Sequence, residues 1–125
     1  METKLSVQVQ LSDTPIVSKK NRMRYARGRV YKTAEVQDFE HALEKAAAEA
    51  ICQITDWKPL SGPVKLELQM QFPDRRRRDL HNTLDTICDA LQEIIYEDDA
   101  QVCEIVAKKT IGNKWDLQIV VSELE

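Results

Sequence analysis

Glycine and proline are scarce, 3 and 4 residues in a chain of 125. That scarcity argues for regular elements joined by short connections and against a linker-rich or low-complexity chain. No run approaches 18 consecutive apolar residues, so no segment has the length to span a bilayer. The opening stretch, METKLSVQVQLSD, alternates where a secretory signal would carry a continuous apolar run. A cytoplasmic protein without membrane contact is the expectation. Cysteine is limited to Cys52, Cys88 and Cys103, an odd number, widely spaced, with no CxxC pair and no zinc-ligand spacing to a histidine. A disulfide scaffold and a zinc module are therefore excluded, and three reduced, mostly buried thiols are expected.

Apolar and charged residues are both plentiful, 42% and 31% of the chain. This is enough for one domain over residues 1–125 with a core of its own. The net charge of −3 conceals a strong segregation. Between Asp13 and Glu35 there is no acid, yet Lys19, Lys20, Arg22, Arg24, Arg27, Arg29 and Lys32 crowd together. Between Arg78 and Lys108 there is neither lysine nor arginine, yet Asp79, Asp85, Asp89, Glu93, Glu97, Asp98, Asp99 and Glu104 accumulate. One region suits phosphate and the other suits cations.

The hydrophobic pattern orders the elements. Leu5, Val7, Val9 and Leu11 alternate as a half-buried strand. The basic stretch SKKNRMRYARGRVYK keeps no period and reads as a long loop, with Tyr25 and Tyr31 among its cations as in a nucleic-acid contact. Thr33 caps a helix in which Val36, Phe39, Leu43, Ala46, Ala47, Ala50 and Ile54 recur at three- and four-residue spacing. Pro59, Gly62 and Pro63 break it, and Val64, Leu66, Leu68, Met70 and Phe72 then alternate as a strand. A second amphipathic helix is predicted from Leu80 to Ile95, and a strand around Gln101 to Thr110. A Gly112–Asn113 turn of hairpin type leads to a last strand through Trp115, Leu117, Ile119 and Val121. The order β-α-β-α-β-β predicts an α+β fold, a mixed four-stranded sheet with two main helices on one face.

Chemistry concentrates at PDRRRRDLHNTLD, residues 73–85, where Arg75, Arg76, Arg77 and Arg78 run directly into an acidic helix start. On that helix His81, Asp85 and Asp89 lie at i, i+4 and i+8, a stripe flanking the apolar face. Asp79 stands at the helix entry, where a carboxylate suits the dipole, and Glu97, Asp98 and Asp99 follow its far end. Carboxylates are hard oxygen donors fit for Mg²⁺, and arginine's planar fork is fit for phosphate. The residues alone also admit a blander reading: Asp79 as a cap, Asp85 and Asp89 as a solvated face, and residues 97–99 as a turn. His41, beside Asp38 and Glu44, reads as surface.

The stretch PDRRRRDLHNTLDTICDALQEIIYEDDAQV resembles the central motif of the RusA family of Holliday junction resolvases. In that family an arginine run precedes Asp-x-Asp-Asn, a helix ends in Asp-Ala-Leu, and a short loop leads to Asp-Asp-(Ser/Ala)-Gln-(Val/Ile). Arg75 to Arg78, Asp79, Asn82, Asp89-Ala90-Leu91 and Asp98-Asp99-Ala100-Gln101-Val102 match it. KNRMRYARGRVYKTAEVQDF is more weakly similar to the family's basic segment and the helix after it. The resemblance implies a homodimeric, Mg²⁺-dependent endonuclease of recombination and repair, often prophage-encoded, that cuts branched DNA at four-way junctions and uses no small-molecule cofactor. It implies Asp79 and Asp99 as metal-binding carboxylates with Asp98 beside them, and phosphate contacts from Arg75 to Arg78 and the basic stretch.

Two positions depart from the family pattern. His81 stands in place of its second aspartate, and Asp85 in place of a lysine implicated in catalysis. Three readings remain open. In the first, Asp85 restores the carboxylate one turn along, with His81 as ligand or proton donor, which would favour Mn²⁺ beside Mg²⁺. In the second, the exchange disables cutting and leaves a protein that binds branched DNA. In the third, His81 merely caps the helix. The candidate catalytic set is thus Asp79, Asp99, His81 and Asp85, and the candidate metal set Asp79, Asp99, Asp98 and His81.

Overall fold

The computed structural model describes residues 5–17, 23–26, 29–32, 34–76, 78 and 80–124; for 23–26, 29–32, 81 and 82 the backbone alone is described. Its elements in chain order are β1 (Ser6–Ser12), β2 (Met23–Ala26), β3 (Arg29–Lys32), α1 (Ala34–Ile51), β4 (Val64–Phe72), α2 (Leu80–Leu91), a 3-10 turn (Asp99–Gln101), β5 (Val102–Ile111) and β6 (Asp116–Glu123). Four strands form a mixed sheet in the order β1-β6-β4-β5. β4 and β5 run parallel, as expected of strands joined through the intervening helix α2, while β6 is antiparallel to both β4 and β1.

Strict alternation decides which face is covered. In β4, Val64, Leu66, Leu68, Met70 and Phe72 are buried while Glu67 and Gln69 are exposed. Leu117, Ile119 and Val121 of β6 and Val7 and Val9 of β1 continue the same buried layer. The helices lie over it. α1 contributes Val36, Phe39, Leu43 and Ala47 at helical spacing, packing on β1 and on α2, which also reaches β5. The α+β architecture predicted from the pattern is the one observed. Among the described residues no helix is long and apolar enough to cross a membrane.

Four local readings differ. The basic stretch is not all loop: β2 and β3 pair antiparallel, with Met23 opposite Lys32 and Ala26 opposite Arg29. Strands of four residues are too short to show a period, and a two-stranded ribbon is defined by pairing across it, which composition does not reveal. The last two strands do not form a hairpin, because β4 lies between them. The connection crosses the end of β4, where the Gly112 amide donates to the Phe72 carbonyl at 2.9 Å. A Cβ on Gly112 would come within 2.5 Å of the Gln71 side chain, so glycine serves close passage there.

Helix α2 stops at Leu91, short of Ile95. Glu93 adopts φ 71°, a left-handed conformation that ends a helix, and Ile95 and Tyr96 are buried through the turn that follows. Finally, only Cys88 is a buried thiol; Cys52 and Cys103 are exposed. Cys52 follows the last residue of α1, and Cys103 lies on β5, an edge strand, so neither is covered as its local pattern implied.

Candidate active site

The arginine run leaves β4 through a turn that its own residues stabilise. Asp74 Oδ1 accepts from the Arg76 amide at 2.9 Å, an Asx-type turn. The same carboxylate takes both amino groups of Arg78, at 2.8 and 3.3 Å. The Arg78 guanidinium is 5.0 Å from the Phe72 ring centre and 4.9 Å from that of Trp115, and the two rings meet edge to face. Its hydrogen bonds with Arg78 and with the Arg76 amide hold Asp74 below the usual carboxylate range. Arg78 is thus seated among side chains, whereas Arg75 and Arg76 are exposed.

Of the remaining predicted phosphate contacts, Arg24 and Arg29 have backbone in the β2–β3 ribbon, Arg24 opposite Tyr31 and Arg29 opposite Ala26. Lys19, Lys20, Arg22, Arg27 and Arg77 lie outside the described residues, as does Asp79. His81 contributes its backbone to the first turn of α2.

The acidic loop is built at the other end of α2. Asp98 caps the 3-10 turn: its side chain accepts from the Ala100 amide at 2.9 Å, and its own amide donates to Gln101 Oε1 at 2.8 Å. Gln101 in turn donates to the carbonyls of Leu60 and Gly62 at 2.7 and 2.8 Å. The Asp99 amide donates to Gln92 Oε1 at 3.1 Å, and the buried Tyr96 hydroxyl donates to the Cys88 carbonyl at 2.6 Å. The side chains of Asp98, Gln101, Gln92 and Tyr96 thus fix a short loop. Although Asp99 is exposed, loss of hydration against its neighbours raises it above the ordinary carboxylate range, reinforced by its hydrogen-bonding approach to Asp98 and Asp89 and by their charges. Burial chiefly pushes the Cys88 thiol up to about 11, with Asp99, Asp85 and Asp89 adding to the rise.

The structure brings Asp99 to Asp89 rather than to the start of α2, where Asp79 and His81 fall in the chain. From Leu80 to Asp89 the helix advances roughly 13 Å at about 1.5 Å per residue. Asp85 is exposed about midway, one turn from His81 in one direction and one turn from Asp89 in the other. Among the described residues no three His, Cys, Asp or Glu side chains are grouped to hold a metal ion. What they offer is a close pair of carboxylates, Asp89 and Asp99, hard oxygen donors whose mutual repulsion a divalent cation would relieve. On sequence alone Asp89 reads as one member of a helical stripe, and nothing marks it as a ligand. Gln92 and Gln101 are not legible in the sequence, because an uncharged residue in a loop carries no signal of the bonds it makes.

A family model described as "Endodeoxyribonuclease RusA" matches residues 13–122. The crossover junction endodeoxyribonuclease RusA of Escherichia coli (strain K12) is 33% identical over 103 residues, covering 81% of this chain and 82% of that protein. The protein of the same name from Shigella sonnei is also 33% identical over the same extent. That from Enterobacteria phage 82 is 32% identical over 103 residues.

Proposed function

The chain belongs to the RusA endodeoxyribonuclease family, and on that premise we propose that it resolves four-way DNA junctions by metal-dependent hydrolysis of phosphodiester bonds. The observation that carries this reading is the Asp89–Asp99 carboxylate pair, set by a hydrogen-bonded loop at one end of α2, with an arginine run entering the other end. Mg²⁺ or Mn²⁺ held by such carboxylates would activate a water and offset charge building on the phosphate. Asp99 and Asp79 are the ligands we assign first, with Asp89 in place of Asp98. The Asp98 side chain is committed to the Ala100 amide as a cap. Arg75 and Arg76, exposed beside the turn, present their forks to phosphate on either side of the cut, and the cations of residues 19–29 extend that grip.

The working unit is a homodimer. A four-way junction has two-fold symmetry, and a C2 dimer presents two equivalent sites to it. The geometry of α2 adds a second argument. Asp79 precedes the helix in the chain, whereas Asp99 lies against Asp89 near its far end, which supports a site completed across two copies. Two copies packed with their α2 helices in opposite directions would set Asp79 of each against Asp99 of the other.

The test is a labelled synthetic four-way junction, compared with linear duplex of the same sequence, in Mg²⁺ and in Mn²⁺. Paired symmetric nicks on the junction and none on the duplex support the proposal. Tight junction binding without nicks in either metal refutes it, and if His81→Asp, Asp85→Lys then begins to cut, the chain is a binder with a disabled site.

A further inference from the structure

We infer that Lys109 is a positioning residue for Asp79; the inference rests on the nuclease reading only for its activity measurement. The register of β5 against β4 pairs Leu66 with Ile105, Leu68 with Ala107, Met70 with Lys109 and Phe72 with Ile111. Paired residues of parallel neighbours point to the same face, and on β4 those four positions are buried toward the helices. Lys109 is therefore a lone cation in an otherwise apolar row, on the side where α2 begins. Its neighbour Lys108 pairs with Gln69 on the open face.

The ammonium of Lys109 has a specific partner. It donates to the carbonyl oxygen of Arg78 at 3.0 Å. That oxygen belongs to the peptide unit joining Arg78 to Asp79. A peptide unit is planar, so a bond to its oxygen restrains the unit whose nitrogen belongs to Asp79. The Arg78 side chain anchors the same residue from the other direction, through Asp74, Phe72 and Trp115. Phe72 ends β4, Trp115 precedes β6, and Lys109 lies in β5. Two strands of the sheet and the residue that leads into a third thus converge on the residue before Asp79. A carboxylate used for metal chemistry must be held to a fraction of an ångström, and displacement by about 1 Å can cost on the order of a hundredfold in rate. Lys109 supplies the part of that constraint that acts on the backbone.

Lys109→Met keeps length and apolar stem but cannot donate, Lys109→Arg keeps a donor, and Lys108→Met is the control. Hydrogen exchange over residues 77–82 and steady-state cleavage of a four-way junction are measured for each. For Lys109→Met we expect kcat to fall roughly ten- to a hundredfold with KM for the junction nearly unchanged. Exchange at 77–82 should rise severalfold while α1 keeps its protection. Lys109→Arg should restore both, and Lys108→Met should match wild type. A raised KM at unchanged kcat would make Lys109 a phosphate contact and overturn the inference. Unchanged exchange at 77–82, or a rise shared equally by α1, overturns it too. If wild type cuts no junction, the nuclease reading falls while the exchange contrast still decides the role of Lys109.

Discussion

Removing one oxygen atom, in Tyr96→Phe, tests how the acidic loop is tied to its helix. Tyr96 is fully buried, and its hydroxyl lies 2.6 Å from the Cys88 carbonyl in the last turn of α2. Carbonyls in that turn run out of amide partners within the helix, and the Gln92 amide is directed to Asp89 instead, at 3.3 Å. Phenylalanine fills nearly the same volume, so packing changes little and the cost is that of a buried acceptor left without its donor, about 1–3 kcal/mol. For a chain of this size that is a fall in Tm of roughly 4–11 °C, by scanning calorimetry at neutral pH. Burial, together with the neighbouring Cys88 and the charges of Asp99 and Asp89, keeps the phenol protonated far above the ordinary tyrosine range. The hydroxyl therefore still donates in mild alkali, and the difference between wild type and variant should be the same at pH 6 and pH 9. A loss below about 0.5 kcal/mol, which is within ordinary surface effects, would refute the reasoning. So would a difference that vanishes by pH 9.

Gln101→Ala leaves the Leu60 and Gly62 carbonyls without their donor; it should cost about 1–2 kcal/mol in urea unfolding and weaken Mn²⁺ binding measured by calorimetry. Gly112→Ala should lower stability by about 1 kcal/mol, because displacing Gln71 breaks its bond to the Lys114 carbonyl, and Gln71→Ala in the same chain should remove most of the further loss. Asp74 is held below its ordinary 3.8, so its contribution is present above that pH and lost as pH falls through the lowered value. Wild type should therefore exceed Asp74→Asn in Tm at pH 6, with the gap closing in acid below about pH 4. Arg75→Ala and Arg76→Ala should each reduce the log–log salt slope of junction binding by about 0.9, and an unchanged slope would remove them from the interface.

The sequence was legible wherever one face of an element is buried. β4 could be bounded to the residue because Val64 to Phe72 alternate without a break, and the core face of α1 follows from its three- and four-residue spacing. Long-range pairing was not legible. Gly112–Asn113 has the local chemistry of a hairpin turn, yet β6 takes the free edge of β4, since β5 already occupies the other edge through α2. The same limit applies to the site. Arginine and aspartate types mark its two halves, but the length of α2 sets them apart, and that depends on where the helix begins and ends. Glu93, a residue with no preference for the left-handed conformation, ends it.

Mixing two inactive variants tests most directly that this is a junction nuclease whose sites are completed across a dimer. Asp79→Asn and Asp99→Asn are purified separately, then mixed, exchanged and incubated with a labelled four-way junction and Mn²⁺ beside wild type. Wild type should place two symmetric nicks, and each variant alone none. A mixed dimer pairs the unaltered Asp79 of one chain with the unaltered Asp99 of the other, so the mixture should nick one strand per junction. If mixed dimers form and the mixture stays inactive, the site lies within one chain. If wild type cuts linear duplex as readily as the junction, or cuts neither, the function proposed for the chain is wrong.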